Sequence, residues 1–227
     1  MTGFRENQEN LFELIHRVLG DHLPSEPLEA VYLFDLSSPN KSSILERAIK
    51  LYQQGRVRKL VLNNEGDLDG SISYQQCAEE LIARGVSKSD LLAFKPAPEF
   101  RGPTGRYNAS SQGEGFVRFI KESGYRSVGC IAPTFHLVRA FVAVVSGLAH
   151  NNLQNTVRAY AIPGESQSWD EEIVHFQGAI KGPRKNLLKD ELARLASYSA
   201  RGDQVSGEVV LNYLNQREGG NRADVLR

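Results

Sequence analysis

His136 and Arg139 are the two residues whose types and spacing most directly permit chemistry. An apolar run, Val128-Gly129-Cys130-Ile131-Ala132, leads up to them and stops at Pro133-Thr134, and a second apolar stretch then extends to Leu148. The pattern predicts a buried strand, a tight turn, and a helix with an imidazole and a guanidinium in its first turn. Residues three apart share a helix face, so both side chains are expected to point toward the strand's carboxyl end. Free amides and the dipole at a helix N-terminus favour anions, and Arg139 adds a bidentate fork suited to phosphate or carboxylate. His136 can act there as a general acid or base, with Thr134 in the adjoining turn. The plainer alternative is a histidine that caps the turn and an arginine paired with a neighbouring acid.

Other polar residues are expected along the same edge. Asp35, Ser37 and Ser38 follow the apolar run 30–34, and Asn64 and Glu65 follow 59–62. Asp35 or Glu65 could bind a ribose hydroxyl, orient a histidine, or help hold a divalent ion, and both join His136 as candidate catalytic groups. Ser37, Ser38 and Asn64 are candidate ligand contacts. Ordinary turn chemistry accounts for the same residues, since Asp, Asn, Ser and Gly populate such loops. Glu65, Asp67 and Asp69 lack the flanking pattern of a calcium loop, and no metal site is expected. The loop 95–111 has no period of its own, and long loops of that kind are often functional. It offers Arg101, Arg106 and Asn108 to close over an anion. Ser111 and Gln112 are further ligand candidates, although Ser111-x-x-Glu114 has the spacing of a capping box. Trp169 is expected to anchor the terminal helices.

The elements that must position these residues alternate. Helical spacing of Leu11, Leu14, Ile15, Val18 and Leu19 predicts a first helix over 6–19. Strands follow at 30–34, 59–62, 91–94, 128–132 and 157–162. Between them lie helices beginning at Ser42 or Ser43, spanning 73–84 with Gly85 closing, around Phe116 to Ile120, and from His136 onward. The tail 186–216 carries two further helical patterns. Regular alternation of this kind predicts a three-layer, Rossmann-like α/β fold: a mainly parallel sheet of about five strands with helices on both faces and extra C-terminal helices. Ligands in such sheets bind at the carboxyl edge, where the strand order reverses. One domain is the economical reading, with a core over about 28–163.

Bulk properties narrow the function classes. The 227 residues are 41% hydrophobic and 24% charged, with a net charge of +0, so no global field draws the chain to nucleic acid or anionic lipid. Arg56, Arg58 and Lys59 form a short basic cluster without interleaved aromatics, which argues against nucleic acid as a partner. The N-terminal stretch is amphipathic and contains Glu6, Glu9 and Glu13, unlike a signal peptide, and no run reaches membrane-span length. A cytoplasmic location is expected, with Cys77 and Cys130 as small core residues in a reducing compartment. There is no Gly-x-Gly-x-x-Gly, Walker A run, Gly-x-Ser-x-Gly elbow or His-Glu-x-x-His, so no motif names a cofactor.

Several segments resemble the DUF218 family, the YdcF/SanA/ElyC-like group. Glu46-Arg47-Ala48-Ile49-Lys50-Leu51-Tyr52 through Gly55, then Leu60-Val61-Leu62, is similar to that family's helix and following strand. Ala83-Arg84-Gly85-Val86 resembles its helix-to-Gly-Val step, and His136-Leu137-Val138-Arg139-Ala140 its His-x-x-Arg-Ala signature. The resemblance implies a Rossmann-like domain with a pocket at the strand ends. Departures fall at Phe34-Asp35-Leu36-Ser37, where the family has glycines, and at Asn63-Asn64-Glu65-Gly66, where it has Ser-Gly. The Thr-x-Glu-Asn-like motif is also altered, around Ala109, Ser111, Gln112 and Glu114. The resulting expectation is a small anionic or nucleotide-like ligand at the sheet edge, with His136 as acid/base and Arg139 as anion clamp of a transferase or hydrolase. The alternative is a non-catalytic interaction or regulatory module on the same fold.

Overall fold

Continuous apolar runs organise the molecule around a sheet buried on both faces. A computed structural model describes residues 2–34, 36–37, 40–64, 73–101, 107–174 and 181–225. Asp35, Ser38, Glu65 and Arg106 lie outside the described residues. Five strands run parallel: β1 (Ala30–Leu33), β2 (Leu60–Asn63), β3 (Leu91–Phe94), β4 (Ser127–Ala132) and β5 (Arg158–Pro163). Their order is β3-β2-β1-β4-β5, so the chain builds outward from β1 and then returns to its other side. The order therefore reverses between β1 and β4.

Alternate residues of each strand enter different cores. Ala30, Tyr32 and Phe34, with Val128, Cys130 and Ala132, face one layer of helices. That layer comprises α1 (Thr2–Leu19), α4 (Ala109–Ser123), α5 (Leu137–His150) and α7 (Gly207–Val225). Val31, Leu33, Leu60, Leu62 and Ile131 face the other layer, made by α2 (Lys41–Gln53) and α3 (Tyr74–Ala83). The three-layer α/β, Rossmann-like expectation is met. Cys130 and Cys77 sit in the two different cores as free, buried thiols.

Local signals explain most boundaries. Ser73 caps α3 in a reciprocal box with Gln76. The cap of α4 differs from the expected Ser111–Glu114 pair: Asn108 is the cap and Ser111 its partner. Ser111 N–H donates to Asn108 Oδ1 at 3.0 Å, and Asn108 N–H donates to Ser111 Oγ at 2.8 Å. α2 likewise starts one or two residues before Ser42 and Ser43, after Asn40, with no side-chain cap. α4 packs tightly along α5 because Gly113 has no Cβ; one placed there would meet the Ala143 carbonyl oxygen at 2.5 Å.

The tail forms α6 (Arg184–Ala200) and α7, preceded by an antiparallel pair, β6 (Glu172–Val174) and β7 (Lys181–Pro183), that periodicity did not reveal. Three-residue strands are too short to carry a period. Among the described residues, no helix is long and apolar enough to cross a membrane.

Candidate functional site

The switch between β1 and β4 creates the site. Their register pairs Leu33 with Ile131, and Phe34 N–H donates to the Ile131 carbonyl at 2.8 Å, so both strands end level. β4 then turns through Pro133 and Thr134, and His136 N–H closes the turn on the Pro133 carbonyl at 2.8 Å. His136 is the first flanking residue of α5 and makes no side-chain cap. Arg139 lies one turn further on. The strand-turn-helix expectation holds here, and both side chains are buried, at 4% and 3% exposure.

Their surroundings contain a residue that the sequence did not single out. Glu191, on α6, is itself 3% exposed and stands between them. Arg139 Nε donates to Glu191 Oε2 at 2.5 Å and Nη2 to Oε1 at 3.1 Å, a side-on bidentate pair. His136 Nδ1 lies 2.6 Å from Oε2, and Arg194 Nη1 donates to Oε1 at 3.1 Å. Burial alone would raise the Glu191 pKa, but the Arg139 charge and the hydrogen bonds from Arg139 and His136 hold it well below the ordinary 4.5.

That carboxylate assigns the imidazole tautomer. Arg139 Nη2 also approaches His136 Nδ1, at 3.2 Å, and would require a lone pair there. An ionised Glu191 accepts only, and its shorter contact requires Nδ1–H. Nδ1–H therefore donates to Glu191, and Nη2 lies beside it without a hydrogen bond between them, both groups turned to the same carboxylate. Nε2 makes no hydrogen bond among the described residues. The ring lies edge-on to Phe34, with centroids 6.3 Å apart, beside the end of β1.

The other candidates divide. Ser37 is buried near the end of β1, and its Oγ accepts from Asn40 Nδ2 at 3.1 Å. Thr134 is half-buried in the turn, next to His136. Asn108 and Ser111 are buried and use their polar groups on each other, whereas Gln112 Oε1 accepts from the Tyr32 hydroxyl at 3.1 Å. Asn64 is exposed, with its backbone N–H on the Phe94 carbonyl. Arg101 stacks on Tyr107, its Cζ 4.3 Å from the ring centroid. Trp169 is 42% exposed; its carbonyl oxygen accepts from Lys185 N–H at 3.0 Å, at the start of α6.

A groove of about 1030 Å³ also exists, lined by Ser25, Arg126, Gln154, Arg158 and Tyr213 among others. It lies where β4 and β5 begin, at the opposite end of the sheet from His136. Among the described residues no group of three or more His, Cys, Asp or Glu converges as a metal site. No protein-family model, curated protein or solved structure matches this chain. The functional reading therefore rests on the geometry of the site.

Proposed function

We propose that this chain is a divergent, cytoplasmic DUF218-like protein that binds a small anionic or nucleotide-like ligand at the carboxyl edge of its sheet, as a transferase or hydrolase with His136 as the acid/base group. The observation that carries the reading is the Glu191–His136 contact at 2.6 Å. It holds the proton on Nδ1, orients the ring, and leaves Nε2 to exchange a proton with a substrate. Arg139, expected from the sequence as the ligand's anion clamp, has its fork on the Glu191 carboxylate instead, so its role in the proposal is to hold the group that holds the imidazole and to add positive potential at the helix end. Asp35 and Glu65 belong to the proposal as further proton- or ribose-handling carboxylates.

A thermal-shift series with nucleotides, sugar phosphates and S-adenosyl compounds on wild type and His136→Gln tests it. At least one class should raise the wild-type Tm, with a weaker response in the variant. No response in the wild type, or an identical one in His136→Gln, overturns the assignment.

One observation favours the second reading, a non-catalytic module: Glu191 also joins α6 to α5 through a buried ion pair. In that case Glu191→Gln would lower stability without altering any ligand response.

A further inference from the structure

The fork of Arg139 is filled by Glu191, so the anion of the proposed ligand needs another partner, and a second buried arginine supplies one. Arg184 opens α6 and is 2% exposed. Three contacts fix it: its backbone N–H donates to the Glu171 carbonyl at 2.9 Å, Nη1 to the Glu171 carboxylate at 2.9 Å, and Nη1 to the Ser168 carbonyl. Its remaining edge, Nε together with Nη2, is buried and has no hydrogen-bond partner among the described residues. Those two N–H groups form the side-on fork that grips an oxyanion with two parallel bonds, and Arg139 uses the same two atoms on Glu191.

A structural role explains Nη1 and leaves this edge unexplained. Buried donors without partners are costly, and each one in a folded protein calls for a reason. Arg47 and Arg217 leave only a single Nε in this condition, whereas Arg184 leaves a whole preorganised fork. Its place fits the proposed site. Arg184, Leu187 and Glu191 are all buried on α6. Leu187 packs with Phe135 and Ile173, and Phe135 immediately precedes His136. Glu191 lies seven positions beyond Arg184 on the helix, about 10 Å along the axis, a span on the scale of a small phosphorylated or carboxylated molecule.

We propose that the Nε/Nη2 edge of Arg184 is an oxyanion-binding fork that takes the phosphoryl or carboxylate group of the ligand. The inference deepens the proposed function and rests on it for the ligand's other end.

The test titrates the full chain with inorganic phosphate and, separately, acetate, reading Tm and the NMR shift of the Arg184 Nε–H. Arg184→Lys keeps the charge and removes the fork; His136→Gln serves as the comparison. Phosphate or acetate should move the Arg184 Nε–H, and the stronger of the two identifies the oxyanion. Arg184→Lys should weaken its binding roughly tenfold or more. An Nε–H that neither anion moves, or equal affinity in Arg184→Lys, overturns the fork. The NMR arm decides even if the variant fails to fold. Nucleotide binding that needs His136 but not Arg184 refutes the fork alone. Arg184-dependent phosphate binding, with nucleotides indifferent to His136, supports the fork and refutes the acid/base site.

Discussion

Two buried arginine–carboxylate clusters anchor the C-terminal helices, and they are built differently. Along the outer edge of β5, Arg217 of α7 holds Asp21 in two bonds, at 2.6 and 2.9 Å, and donates to the Ala159 carbonyl at 2.6 Å. Asp21 accepts from Ala161 N–H at 2.9 Å. The Tyr213 hydroxyl accepts from Ala159 N–H at 2.6 Å and donates to the Val157 carbonyl at 3.1 Å. These side chains satisfy the backbone groups of an edge strand that would otherwise invite pairing with another chain. At the other end, Glu191 serves two arginines and a histidine, touches no strand backbone in these bonds, and leaves Nε2 of His136 unused. The first cluster spends its groups on strand backbone, and the second keeps an imidazole nitrogen in reserve.

Stability measurements sharpen that contrast, beginning with the largest effect. Arg217→Met leaves Asp21 buried without its cation and uncaps β5, and should cost about 3–5 kcal/mol in urea unfolding. Glu191→Gln leaves two guanidiniums facing a neutral amide and should cost roughly 3 kcal/mol. It should also change the acid limb. The Glu191 pKa is depressed on folding, so its contribution is complete above the ordinary carboxylate value and fades as pH falls through the lower folded one. Stability of Glu191→Gln should therefore fall less steeply than wild type below about pH 4.5. Tyr213→Phe removes both hydroxyl bonds to β5 and should cost about 1–2 kcal/mol. His136→Gln keeps a donor near Glu191 and should change stability by under about 1 kcal/mol, while weakening the nucleotide response. A His136→Gln cost as large as that of Arg217→Met would dissolve the distinction between the two clusters.

The two regions were also unequally legible from sequence. Strand runs such as 128–132 and the His136–Arg139 pair stand out because a buried parallel strand and the helix after it leave continuous, local patterns. Glu191 left none. The apolar spacing of Leu187, Leu188, Leu192 and Leu195 suggests an inner stripe through Leu192, yet Glu191 is buried and Leu192 only half-buried. An acid turns inward when partners far off in the chain compensate it, here Arg139 and His136, 52 and 55 residues away. Periodicity carries no record of such pairs. The Arg184 fork was hidden for the same reason, since its fixed half depends on Ser168 and Glu171 in an irregular loop. Asn108 displaced Ser111 as cap because several adjacent polar residues could each begin α4, and Asn108 and Ser111 close the reciprocal box on each other.

The central claim is that Glu191 fixes His136 with its proton on Nδ1 and Nε2 open. Long-range ¹H–¹⁵N correlation NMR of the imidazole at pH 8, on wild type and Glu191→Gln, measures it directly. The account predicts a protonated Nδ1 and an unprotonated Nε2 in wild type, with that preference weakened in the variant. A wild-type ring protonated on Nε2, with Nδ1 accepting from Arg139, would contradict it.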